Sequence, residues 1–97
     1  MITRTGTAQS PGRYDSAEWT QATVTNYDVS AQTLFVNCLN PQYVQIRTDA
    51  TITVRFNSTT APAMTVLANT AFELYLDFHH MYVTTTGSTV IRVVFTQ

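Results

Sequence analysis

From Ala22 onward the chain is a succession of short runs in which apolar and polar residues alternate, and no stretch carries a helical stripe of useful length. Strands are expected over roughly 22–29, 33–39, 42–48, 51–57, 63–67, 71–77, 80–86 and 89–96. Turn signals separate them: Asn40-Pro41, Asp49, the stretch from Asn57 to Pro62, Asn69, and Gly87-Ser88. Short strands at this spacing predict an all-β fold, a small antiparallel β-sandwich of jelly-roll-like form. Residues 1–20 read as an extended N-terminal arm and 21–97 as the sandwich domain.

Alternation also predicts faces. Val44 and Ile46 point to one side, as do Ile52, Val54 and Phe56, and a common inward side suits a hairpin with a three-residue loop, Thr48-Asp49-Ala50. Its outward side would pair Tyr43 with Arg55. By the same logic Phe72, Leu74 and Leu76 meet Met81 and Val83, which in turn meet Val93 and Ile91. As a simple meander these three strands would line up Tyr75, Tyr82 and Arg92 on the outer face. A jelly roll would break that row.

Nineteen residues are threonine and none is lysine. Threonine suits a pleated, half-buried surface, and a lysine-free chain lacks the commonest charge that keeps exposed sheet edges from pairing. Charged residues are 11% of the chain, against about 25% in average soluble proteins. The net charge is −1 and the arginines are scattered, so nothing forms the basic run that nucleic acid would require. Nothing approaches the length of an apolar membrane span, and the N-terminus has no apolar run, so no signal peptide is expected. These features favour a β-module covered by other subunits.

Residues 1–19 are polar, carry Gly6, Pro11 and Gly12, and show no periodicity. Ordering roughly 18 residues costs on the order of 20–35 kcal/mol of backbone entropy. The arm is therefore expected to lie against a surface, with that of a neighbouring subunit the leading candidate.

Chemistry is thinly represented. Cys38 is the single cysteine, within a buried-strand pattern from Leu34 to Leu39, so it forms no internal disulfide and reads as a small core residue. His79-His80 beside Asp77 reads as a turn pair. Adjacent strand residues face opposite ways, and zinc takes three or four ligands, which leaves only a shared site on a symmetry axis. No nucleophile elbow, phosphate loop or Cys–His context occurs, and Glu18 and Glu73 are far apart in sequence. No catalytic residue, metal site or cofactor is assigned, and no enzyme is expected. Asn57-Ser58-Thr59 fits a glycosylation sequon by chance composition or marks a simple connector. The Tyr–Arg combinations have two readings, ordinary cross-strand stacking or an interface, since Tyr and Arg couple contact area to a polar end. A third reading is a platform for sugar rings.

The segments 52–59 (ITVRFNST), 62–67 (PAMTVL), 71–74 (AFEL) and 81–87 (MYVTTTG) resemble small β-modules of bacteriophage virions, the capsid decoration (cement) proteins and related head or tail appendages. The resemblance covers about residues 50–96. It implies a homotrimer made in the host cytoplasm, lying on the outer capsid surface and clamping major capsid subunits without covalent chemistry. Contacts would come from the arm and sheet faces, through Ile2, Arg4, Arg13, Tyr14, Trp19, Tyr43, Arg55, Tyr75, Tyr82 and Arg92. The alternative is a carbohydrate- or host-surface-binding module of a head or tail fibre.

Overall fold

A computed structural model describes residues 2–4, 14–29 and 41–96. The expected strand at 33–39, Cys38 and Arg13 lie outside the described residues. Among the described residues there are nine strands: β1 (Ile2–Arg4), β2 (Tyr14–Gln21), β3 (Val24–Asp28), β4 (Tyr43–Thr48), β5 (Ile52–Phe56), β6 (Met64–Val66), β7 (Phe72–Tyr75), β8 (Met81–Thr85) and β9 (Thr89–Thr96). They make two antiparallel sheets, ordered β1-β2-β9-β4-β7 and β3-β8-β5-β6. Taken in order, the described strands from β2 onward alternate between the sheets except that β5 and β6 share one. That crossing pattern is a jelly roll, with β1 added outside β2.

The inward faces fall where alternation puts them. Val44, Ile46, Ile52, Val54, Phe56, Met81, Val83, Ile91, Val93 and Phe95 are buried, with Phe72 and Leu74 packed against them. Phe78 closes the centre from the β7–β8 connection, with Phe56 and Phe95 rings at centroid distances of 4.9 and 5.6 Å in edge-on geometry. Such contacts add about 0.5–1.5 kcal/mol each beyond burial.

The expected hairpins are not formed. β4 pairs with β7 and β9, whereas β5 lies in the other sheet against β6 and β8. Val44 and Ile46 thus share one core with Ile52 and Val54 from the other sheet and are not their ladder partners. The pairing of β7 with β8, and of β8 with β9, fails for the same reason. A crossing connection lets both inward faces meet without hydrogen-bonding the strands that carry them.

The N-terminal segment is also corrected. Tyr14–Gln21 is an eight-residue strand paired with β9 from Tyr14↔Thr96 to Gln21↔Thr89, and β1 pairs onto it. Within β2, Ala17 and Trp19 face the core while Glu18 and Thr20 face out. The backbone entropy of ordering this segment is offset by ladder bonds to its own sheet and by burial of Trp19.

Threonine serves the places where strands end. The buried hydroxyls of Thr48, Thr85 and Thr89 donate to the carbonyls of Ala50, Ala22 and Gly87 at 2.7, 2.8 and 3.0 Å. Asparagine takes the positions with left-handed backbone, Asn26, Asn57 and Asn69. Asn57 also binds the β7–β8 connection: its backbone N–H donates to the His80 carbonyl, its Nδ2 to the Asp77 carbonyl, and its Oδ1 accepts from the His79 N–H. The sequon is thus part of a connector that braces a second loop.

Candidate functional site

Small barrels and jelly rolls either fill the space between their sheets or enclose a ligand there. Inward positions here are aliphatic and aromatic, and the buried polar ones are three threonines already bonded to backbone. Among the described residues, no three His, Cys, Asp or Glu side chains come close enough to share an ion. A metal between the sheets would need such a set. The described residues offer no such set there, and the candidate surfaces argued from them are the outer faces.

The outer face of the five-stranded sheet has two ends. At one, Tyr43 of β4 lies opposite Tyr75 of β7, with ring centroids 4.8 Å apart and planes at 47°. The neighbouring row holds Gln45 opposite Glu73, and Gln45 Nε2 donates to Glu73 Oε1 at 3.4 Å. Tyr43 has its phenol pushed above the usual tyrosine range, first by loss of water around it, then by the charge of Glu73 and a hydrogen bond to it, and then by Tyr75. Tyr75 itself is 80% exposed.

At the other end, four residues along β4 and about 13 Å away, Arg47 lies opposite Arg92 of β9, and Arg92 lies opposite Glu18 of β2. Arg92 Nε sits 3.1 Å from Glu18 Oε1, both largely exposed. Above this row the loops supply Asp49, whose Oδ1 accepts the Val90 N–H at 2.8 Å, and Asn69, whose N–H donates to the Thr48 carbonyl at 2.7 Å.

The second sheet presents Tyr82 between Asp28 and Arg55, its register partners on β3 and β5. His80 stacks on Tyr82 with centroids 6.0 Å apart, and its Nδ1 lies 3.4 Å from Asp28 Oδ2. The Arg55 Nη1 donates to the Ala61 carbonyl, so this guanidinium braces the β5–β6 loop.

The expected Tyr–Arg groups are therefore dispersed. Tyr43 and Arg55 lie in different sheets, and so do Tyr75 and Tyr82, which breaks the Tyr75–Tyr82–Arg92 row. Trp19 is 4% exposed, with its Nε1 donating to Gln21 Oε1, and is a core residue. The backbones of Ile2, Arg4 and Tyr14 pair with Trp19, Ala17 and Thr96 within the chain's own sheet. His79 engages Asn57 through its backbone N–H, while His80 turns its ring to Asp28 and Tyr82. Sequence assigns no site role to Arg47 or Gln45, reads Asn69 only as a turn signal, and weighs Glu73 only as a distant partner of Glu18. Their importance depends on which strands are neighbours, and alternation does not report that.

No family model matches the sequence, and no curated protein does. Solved structures do match. A cupin superfamily protein from Desulfitobacterium hafniense is similar over 98% of this chain and 76% of its own, at 8% identity and a TM-score of 0.57. The EutQ protein of Clostridium difficile is similar over 97% of this chain and 67% of its own, at 10% identity and a TM-score of 0.51. At such identities the likeness establishes the fold.

These matches overturn the expected kinship with phage decoration modules. Both matches span nearly the full length of this chain, and the segments that suggested the kinship are short strands with apolar and polar residues alternating, a pattern common to two-sheet β-domains. The capsid-clamping function, the fibre alternative and the virion location are set aside with it.

Proposed function

We propose that this protein is a non-catalytic β-module that works by associating with a second copy of itself along the free edge of β7. The observation that carries the proposal is the edge itself. β7 is the outermost strand of its sheet among the described residues, and Tyr75, the most exposed large apolar side chain described, stands on it. The strand is short and carries Glu73, but it has no lysine, proline or bulge, three of the devices that blunt an edge.

The register is self-complementary. Leu76 N–H donates inward to the Gln42 carbonyl. Backbone groups alternate sides along a strand, so the N–H groups of Glu73 and Tyr75 point to the open edge. An antiparallel pairing centred on Leu74 sets Glu73 opposite Tyr75 of the second copy, and those residues exchange backbone bonds. Leu74 then meets its own copy on the core side, and no like charges are opposed. A strand pairing with itself is two-fold and closes at two chains. The apolar filling of the core supports a role exerted from outside the barrel.

Sedimentation velocity across a concentration series tests the reading. The chain should pass from monomer to dimer, and Tyr75→Lys should hold it monomeric with its folded spectrum intact. A monomer at all concentrations, or a trimer unaffected by Tyr75→Lys, contradicts it.

A further inference from the structure

We propose that the Arg47–Arg92 end of the five-stranded sheet binds a small hydroxylated monocarboxylate. The site is distinct from the β7 edge and does not depend on self-association. Its first element is a charge imbalance. Like charges directly opposite on adjacent strands are unfavourable, and Arg47 and Arg92 are such a pair. Glu18 answers Arg92 at 3.1 Å, whereas the Arg47 side chain has no ion-pair or hydrogen-bond partner among the described residues. One guanidinium fork is therefore left to receive an oxyanion, a carboxylate or a phosphate, both of which match its geometry.

The second element is shape. Arg47 and Arg92 form the wall shared by two adjoining depressions of about 260 and about 220 Å³. The first is completed by Thr48, Asp49, Asn69 and Val90, the second by Gln45, Ala71 and Val94. Both are open and shallow, which suits a ligand of few atoms and an affinity on the order of millimolar.

The third element selects the ligand class. Asp49 commits Oδ1 to the Val90 N–H and keeps a second oxygen that accepts a hydroxyl proton. Asn69, held by its backbone bond to Thr48 in a left-handed conformation, has an exposed side-chain amide with no partner among the described residues. Arg47, Arg92, Glu18 and Asp49 together are neutral, so a dianion such as phosphate gains little and meets the Asp49 charge at close range. A single carboxylate on the guanidinium, with a hydroxyl on Asp49 or Asn69, uses every group provided.

Titration of the full chain with glycerate, followed by amide NMR, tests the proposal. Propanoate lacks the hydroxyls, glycerol lacks the carboxylate, and inorganic phosphate tests simple anion binding. Expected are saturable shifts at Arg47, Asp49, Asn69 and Val90 with glycerate, binding about tenfold weaker with propanoate, and none with glycerol. Arg47→Gln should weaken glycerate about tenfold or more while leaving the rest of the spectrum unchanged. Phosphate binding as tightly as glycerate, propanoate equalling glycerate, or an Arg47→Gln variant that binds normally would each overturn it. Sedimentation run alongside separates this result from the dimer, because Tyr75→Lys should bind glycerate as the native chain does.

Discussion

Tyr43 and Tyr75 face each other across β4 and β7 with ring centroids 4.8 Å apart, and Glu73 bears on the Tyr43 phenol from the next row. Deprotonating Tyr43 would place a phenolate beside a carboxylate on a partly dehydrated surface. Its folded-state pKa therefore lies above the ordinary tyrosine value of about 10. The stability this provides is fully present below that pH and is lost as pH rises through the folded-state value. Side-chain NMR titration should show Tyr43 ionising above the free amino acid, and Glu73→Gln should bring it down part of the way. An unchanged Tyr43 titration in Glu73→Gln would refute the assignment.

Phe78 is fully buried between Phe56 and Phe95 although it comes from a connection rather than a strand. Truncation there removes both ring contacts and opens a cavity in the middle of the core. Phe78→Ala should cost about 3–5 kcal/mol in urea unfolding. A loss under about 1 kcal/mol would mean that the loop does not seal the core.

Asn57 combines a positive φ of 70° with side-chain bonds to the Asp77 carbonyl and the His79 N–H. Asn57→Gly and Asn57→Ala both lose those bonds, but only the alanine must also hold a methyl group in left-handed backbone. Both should be destabilised, the alanine variant by about 1 kcal/mol more than the glycine. Thermal unfolding of the pair separates the two effects; equal losses would show that backbone conformation contributes nothing.

The inward faces were readable because alternation reports which side of a strand is apolar. Val44, Ile46, Ile52, Val54, Phe56, Met81, Val83, Ile91 and Val93 are all buried as the pattern required. Neighbours were not readable. In a jelly roll, consecutive inward faces meet across the core, so matching Ile46 to Ile52 satisfies burial without implying a ladder between them. The Arg47–Arg92 pair and the Tyr43–Tyr75 pair arise only from the β4–β9 and β4–β7 ladders, which join segments distant in sequence. β2 is not legible in the sequence because Ala17 and Trp19 are its described buried apolar residues, and the partner that makes it a strand is β9 at the far end of the chain.

The missing lysines bear on the same edge. β7 sits at the margin of its sheet among the described residues, with the Glu73 and Tyr75 N–H groups aimed outward and a tyrosine where a lysine would keep copies apart.

Hydrogen exchange at those two amides is the most direct test of self-association through β7. The Leu74 amide, turned toward β4, serves as the internal reference for a protected group. Glu73 and Tyr75 amides should be protected at high protein concentration and lose protection on dilution, or at any concentration in Tyr75→Lys. If both exchange as open amides at every concentration while Leu74 stays protected, β7 is a free edge and the account is wrong.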